Sequence, residues 1–254
     1  MSWRGILDPT FRSFVVSYPK TGRTWLRMML GRYLCEKLGV GLERVNKTRR
    51  LLLAAGMPAD FTHDDAATND AIHYRDLNPD KSAFHDRSVL LLGRDVRDTL
   101  VSAYFHTTRR MNLFKGSLRE FVRDEHHGAL KLLTFYRHWY EARAVPRAFL
   151  FMRYEEMHRD PAQTLAAALR FLGATSVDPA ALSVAVQFSA FDNLRQAEAE
   201  DRYPDGTMSP ADPADPESYK FRRGKAGGFV DYLEPADVAY IDALNGVHGC
   251  EFTR

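Results

Sequence analysis

A chain of 254 residues, 45% hydrophobic and 27% charged, has a globular composition and enough length to bury a full core. Its 35 basic and 33 acidic residues leave a formal charge of +2, which singles out neither a nucleic-acid polymer nor a membrane surface as a partner. Two cysteines, Cys35 and Cys250, are too few for a disulfide framework or a structural zinc site, and no apolar run nears the roughly 18 residues of a membrane helix. Arg4, Asp8 and Arg12 precede any sustained apolar segment, so no secretory leader is expected. Free thiols in a reducing compartment then predict a cytoplasmic protein.

The first predicted element is a short buried strand at Phe14-Val15-Val16, stopped by Pro19. From Thr24 the apolar residues Trp25, Met28, Met29, Tyr33 and Leu34 recur at helical spacing. The unit repeats as a strand over Ser88 to Leu92, a break at Gly93-Arg94-Asp95, and a helix through Val96, Leu100, Val101, Tyr104 and Phe105. One or two amphipathic helices are expected between Phe114 and Arg143. A third copy runs from Ala148 to Met152 and continues as a helix from about Asp160 to Leu172, with Gly173 as its stop. Strands alternating with helices predict a parallel sheet with helices on both faces. The stretch at 203–218 carries Pro204, Gly206, Pro210, Pro213 and Pro216, so it is expected to be a mobile surface loop. About thirty residues follow it, too few for a second core, and the whole of 1–254 reads as a single domain.

Ligands of a parallel α/β sheet bind beyond the carboxyl ends of its strands. There the loop Pro19 to Thr24 offers a glycine, the N–H groups of a helix start and the charge of Lys20, which together suit a phosphate. It is not a Walker A loop, because its lysine precedes the only glycine. The plainer alternative is a strand-to-helix turn with a solvated lysine. Trp25 suits either the core or stacking on a base. Arg94 stands at the second strand end, and Ser102 shares a helix face with Asp98 and His106. Arg94 and Ser102 suit a second anion clamp, against the alternative of an Arg94–Asp98 salt bridge on a surface helix. Arg222-Arg223-Gly224-Lys225 forms a third basic turn. Three such sites point to a nucleotide with phosphates at two separated positions.

These residues resemble the sulfotransferases that use 3′-phosphoadenosine 5′-phosphosulfate (PAPS). Ser17-Tyr18-Pro19-Lys20-Thr21-Gly22-Arg23-Thr24-Trp25-Leu26 is similar to that family's 5′-phosphosulfate loop, here 17–25. The run from Gly93-Arg94-Asp95-Val96-Arg97-Asp98 to Ser102-Ala103-Tyr104, here 93–104, resembles its 3′-phosphate motif. Arg153-Tyr154-Glu155-Glu156-Met157 and Phe221-Arg222-Arg223-Gly224-Lys225-Ala226-Gly227-Gly228-Phe229 resemble two later family segments, and all four fall in family order.

The resemblance implies a P-loop NTPase-like three-layer sandwich and a role for each matching position. Lys20 would contact the 5′-phosphate and the bridging oxygen. The backbone of Thr21, Gly22, Arg23 and Thr24, with the Thr24 hydroxyl, would hold the 5′-phosphate. Trp25 would stack on adenine and Tyr154 would hydrogen-bond it, while Arg94, Ser102, Arg222, Arg223 and Gly224 would hold the 3′-phosphate. His63 matches the family's base and His106 is its rival, since a histidine suits proton transfer near neutrality. The aspartates beside His63, Asp64 and Asp65, are expected to raise its pKa. Phe61 stands where many animal members carry lysine, a charge that Arg23 is a candidate to supply.

The implied activity is in-line transfer of the sulfuryl group from PAPS to a hydroxyl or amine, with the diphosphate PAP as product and no metal. The acceptor is open among small molecules, lipids, glycans and natural products. Arg109, Arg110 and Lys115 hint at an anionic or sugar-like one. No nucleic-acid polymer is expected as a partner, and a homodimer is compatible with the sequence. The alternatives are an ATP-dependent P-loop phosphotransferase acting on a small molecule, a metal site on His63, Asp64, Asp65 and Asp70, and an inactive nucleotide binder.

Overall fold

The computed structural model describes residues 7–203 and 208–254. Arg4, Pro204 and Gly206, on which expectations were placed, lie outside the described residues. Strand β1 (Ser13–Ser17) is buried at every residue, as its apolar run predicts for a central strand. The loop after it leads into α1 (Arg23–Leu38), followed by α2 (Thr48–Ala54) and a four-residue strand β2 (Ala59–Thr62) that the sequence reading did not single out. Strand β3 (Ser88–Gly93) precedes α3 (Val96–Phe105), whose start is capped by Asp95 accepting from the N–H groups of Arg97 (2.9 Å) and Asp98 (3.1 Å). A π-helical segment, His106–Arg110, extends α3.

The stretch expected to hold one or two helices holds α4 (Leu118–Arg123) and α5 (Ala129–Glu141). Strand β4 (Ala148–Arg153) runs directly into α6 (Tyr154–Arg159), then α7 (Pro161–Phe171), α8 (Pro179–Phe188) and α9 (Phe191–Ala199). Gly173 follows α7 at φ +115°, the left-handed backbone expected of a helix stop. Between 208 and 215 the chain forms only turns and bends, then a 3-10 turn at Pro216–Ser218, and the last long helix is α10 (Pro235–His248).

The strands form one parallel sheet in the order β2-β1-β3-β4. Alternation along each strand decides which layer a side chain joins. Val15, Leu90 and Leu92 pack with Leu26, Met29 and Leu30 of α1 on one face. Phe14, Val16, Val89 and Leu91 pack with Leu100 and Val101 of α3 and with Leu132, Tyr136 and Trp139 of α5 on the other. The result is the expected three-layer sandwich, and each fully buried leucine in it contributes roughly 1.5–3 kcal/mol by burial. Because all four strands are parallel and in register, their carboxyl ends share one edge. The residues that follow them, namely Tyr18 to Gly22, His63, Arg94 and Tyr154, are therefore delivered to the same place.

Candidate active site

The loop after β1 turns through left-handed backbone at Lys20 (φ +74°) and Gly22 (φ +96°). Thr21 is fully buried beneath it, its hydroxyl donating to the Tyr18 carbonyl at 2.9 Å. Gly22 precedes α1 with no side-chain cap, and the first turn of α1 has no acidic residue, so its N–H groups are left for an anion. A Cβ on Gly22 would lie 2.6 Å from Cδ2 of Tyr154, so this turn requires glycine both for its conformation and for the ring beside it.

Arg94, 9% exposed, lies with its guanidinium 4.2 Å over the Tyr154 ring and donates to the carbonyls of Lys20 (3.1 Å) and Lys225 (3.1 Å). It thus ties the loop after β1 to the turn near the C-terminus. Asp98 is buried rather than on the surface, 3.9 Å from Arg94, and its oxygens accept from the N–H groups of Gly227 (2.6 Å) and Phe229 (2.9 Å). Trp25 is half-buried and donates from Nε1 to the Ser189 carbonyl at 2.8 Å, which holds its ring at 5.8 Å from Tyr154 and 4.7 Å from His158.

Arg222 reaches Glu217 and the Tyr232 hydroxyl, each at 2.7 Å, and Arg223 pairs with Asp231 at 2.8 Å. Gly224 takes φ +58°, and a Cβ there would meet Phe191. One cavity of about 320 Å³ connects these groups. Lys20, Gly22, Arg23, Thr24, Trp25 and His63 line it, and so do Arg94, Ser102, His106, Tyr154 and the turn Arg222-Arg223-Gly224. Of the residues assigned to the nucleotide and to proton transfer, Thr21 alone does not line the space.

His63 is the first residue past β2, and its Nδ1–H donates to the Ser17 carbonyl at 2.7 Å. That bond fixes the tautomer and leaves the Nε2 lone pair as the basic atom. Burial, then the charges of Arg23, Lys220 and Lys20, pushes its pKa down to about 3. The expectation that neighbouring aspartates raise it is therefore corrected, since the Asp64 carboxylate is turned to Lys81 at 2.9 Å and the cations prevail. His106 also lines the cavity and is pushed down to about 2, by burial and then by Lys20 and Lys220. Lys20 is lowered to about 7 by burial and by Lys220, Arg110 and Arg94. Among the described residues no three His, Cys, Asp or Glu side chains gather as metal ligands, so His63, Asp64, Asp65 and Asp70 do not form that alternative site.

A sulfotransferase domain matches residues 11–248. The chain belongs to the sulfotransferase domain family. As a sulfotransferase it is 28% identical to cytosolic sulfotransferase 17 of Arabidopsis thaliana over 251 residues, covering 91% of this chain and 72% of the relative. It is 22% identical to flavonol 3-sulfotransferase of Flaveria bidentis over 278 residues, covering 95% and 84%. The fold is shared with mouse sulfotransferase SULT7A1 solved with PAP (TM-score 0.64, 21% identity, 95% of this chain and 85% of that one). It is shared equally with retinol dehydratase solved with retinol and PAP (TM-score 0.64, 19% identity, 96% and 82%). The sulfotransferase reading of the sequence stands, and the kinase reading is not favoured.

Two residues of this sulfotransferase site escaped the sequence reading. Lys220 lines the cavity, and Glu198, fully buried, accepts from the N–H groups of Lys220 (2.6 Å) and Phe221 (2.8 Å) while pairing with Arg110 at 3.3 Å. The one available signal for Lys220 was its place two residues before Arg222-Arg223. Arg109 and Lys115 are exposed and do not line the cavity. No described helix is long and apolar enough to cross a membrane.

Proposed function

We propose that this sulfotransferase draws its sulfuryl group from PAPS, releases PAP and transfers the group in line to an acceptor hydroxyl or amine. The observation that carries the reading is the convergence of Lys20, His63 and Arg94, from three separate strand ends, on one cavity. The cavity fits such a donor. Helix N–H groups and Lys20 suit the 5′-phosphate, and the Trp25–Tyr154 wall suits adenine. Arg94, whose buried Nε–H has no hydrogen-bond partner among the described residues, suits the 3′-phosphate together with Ser102, Arg222, Arg223 and the backbone of Gly224. The two solved relatives hold PAP, which supports the same occupant here.

Transfer forms a bond from the acceptor oxygen to sulfur and breaks the bond from sulfur to the 5′-phosphate oxygen, which leaves with its electron pair. Lys20 meets the charge that develops on that oxygen. His63 Nε2 takes the acceptor proton, and His106, lacking a fixed orienting partner, is the lesser candidate. The donor's negative charge opposes the cations that depress His63, so its arrival raises the basicity of the imidazole. All of these residues come from one chain, so the chemistry does not depend on a homodimer. Cys35 and Cys250 are buried free thiols, which fits work in the cytoplasm.

Calorimetry with PAP and AMP tests the assignment. The wild-type protein is expected to prefer PAP strongly, and Lys20→Ala to abolish transfer from sulfur-labelled PAPS across an acceptor panel. Equal affinity for the two nucleotides, or full activity in the variant, overturns it.

A further inference from the structure

We infer that Lys220 is a catalytic residue of this site, its ammonium contacting the sulfuryl oxygens as the group passes from phosphate to acceptor. The inference rests on the donor assignment above. Lys220 lines the same cavity as Lys20, His63 and His106, the three groups nearest the reacting atoms in that assignment. Its charge acts on all three, and for Lys20 it is the strongest influence after burial. Lys20 meets the departing oxygen and His63 the incoming one, and Lys220 opens on the space that both of them line. That is where the sulfuryl group travels.

The neighbouring positions leave this duty open. Phe61 is apolar, and the Arg27 guanidinium lies 5.2 Å from its ring centre. Arg23 acts on His63 more strongly than Lys220 does and lines the same cavity as a second cation beside the base. Lys220 acts on both Lys20 and His63.

Its backbone is also held in place. The Glu198 carboxylate binds the N–H groups of Lys220 (2.6 Å) and Phe221 (2.8 Å), and Arg195 binds the carbonyls of Phe221 (2.8 Å) and Arg222 (2.9 Å). The ammonium is thus delivered from a fixed main chain, as preorganised stabilisation of a transition state requires. The same rigid run continues into Arg222, so loading of the 3′-phosphate and positioning of the sulfuryl group share one backbone. No atom is transferred to or from Lys220. It donates hydrogen bonds to the three oxygens carried by sulfur, while the electron pair goes to the phosphate and the proton to His63.

The test compares Lys220→Met and Lys220→Arg with the wild type, using PAPS with 4-nitrophenol and, in parallel, PAPS hydrolysis with water as acceptor. PAP affinity is measured on the same samples. Lys220→Met is expected to lower kcat by ~10²–10³-fold, the usual effect of removing one such donor. PAP, which has no sulfuryl group, should bind within about threefold of the wild-type affinity, and Lys220→Arg should recover most of the turnover. Wild-type turnover in Lys220→Met overturns the inference. So does a loss of PAP affinity as large as the loss of kcat, which marks a structural role. A wild-type protein that neither prefers PAP nor consumes PAPS overturns the donor assignment first, and this inference with it.

Discussion

Glu198→Gln isolates the contribution of one buried carboxylate to the architecture of the site. Glu198 is 0% exposed, and its two oxygens accept from the backbone N–H groups of Lys220 at 2.6 Å and Phe221 at 2.8 Å, with Arg110 at 3.3 Å. Glutamine keeps the volume and one acceptor. Its amide nitrogen, however, must face the other backbone N–H, donor against donor. The variant loses one charge-assisted hydrogen bond, about 1.5–3 kcal/mol, and leaves a buried N–H unsatisfied at about 1–3 kcal/mol. Loss of the countercharge to Arg110 adds to this, and a total of about 3–5 kcal/mol matches the usual cost of breaking a buried ion pair from one side.

Urea unfolding followed by the fluorescence of the three tryptophans reads this directly, with a fall in Tm on the order of 10 °C as the thermal counterpart. The same variant should bind PAP about tenfold more weakly, because the turn carrying Arg222 is no longer held. A stability loss below about 1 kcal/mol refutes the reasoning, since it means that water or a relaxed backbone replaces the carboxylate at little cost.

Two further outcomes follow from the electrostatics. His63→Ala should reduce kcat by ~10²–10⁴-fold while PAP affinity stays near wild type, and turnover in the wild type should fall on the acid side, where Nε2 becomes protonated; pH profiles of kcat for the two proteins check both. Lys20, with its pKa near 7 in the free protein, must be protonated to hold a phosphate, and a bound dianion raises that pKa. PAP binding should therefore take up protons above pH 7 and weaken as pH rises, a slope absent in Lys20→Met. Calorimetry in buffers of different ionisation enthalpy measures the uptake, and a pH-independent affinity between 6 and 9 contradicts it.

The parts of the fold that were legible in the sequence are those whose local chemistry is unambiguous. Phe14-Val15-Val16, Ser88 to Leu92 and Ala148 to Met152 are apolar runs of strand length between turn residues, and the helices after the first two follow at clear spacing. Strand β2 was hidden because it is four residues long at the sheet edge, with only Ala59 fully buried, so it has neither a continuous apolar run nor an alternation. Helices α8 and α9 carried no expectation either.

At the site, the loops 17–25 and 93–104 declared themselves because glycine, lysine and arginine at strand ends have few other uses. Glu198 could not. It lies in Gln196-Ala197-Glu198-Ala199-Glu200, which reads as a solvated helix face, and only the path of the chain 22 residues later buries it. The misjudged pKa of His63 has the same origin, because sequence neighbours are visible in a string while Arg23 and Lys220 become its neighbours only on folding.

The segment from 220 to 229 is secured through its main chain, by the side chains of Glu198, Arg195, Arg94 and Asp98. Phe221, Arg222 and Arg223 add side-chain contacts of their own, whereas 225–229 are gripped by their backbone, so substitution at those positions alters what the segment presents more than where it runs. Gly228 and Phe229, which stand in place of the aspartate and tryptophan of the family pattern, show that latitude. New acceptor preferences can therefore arise at the rim of this cavity while the four residues that anchor it stay unchanged.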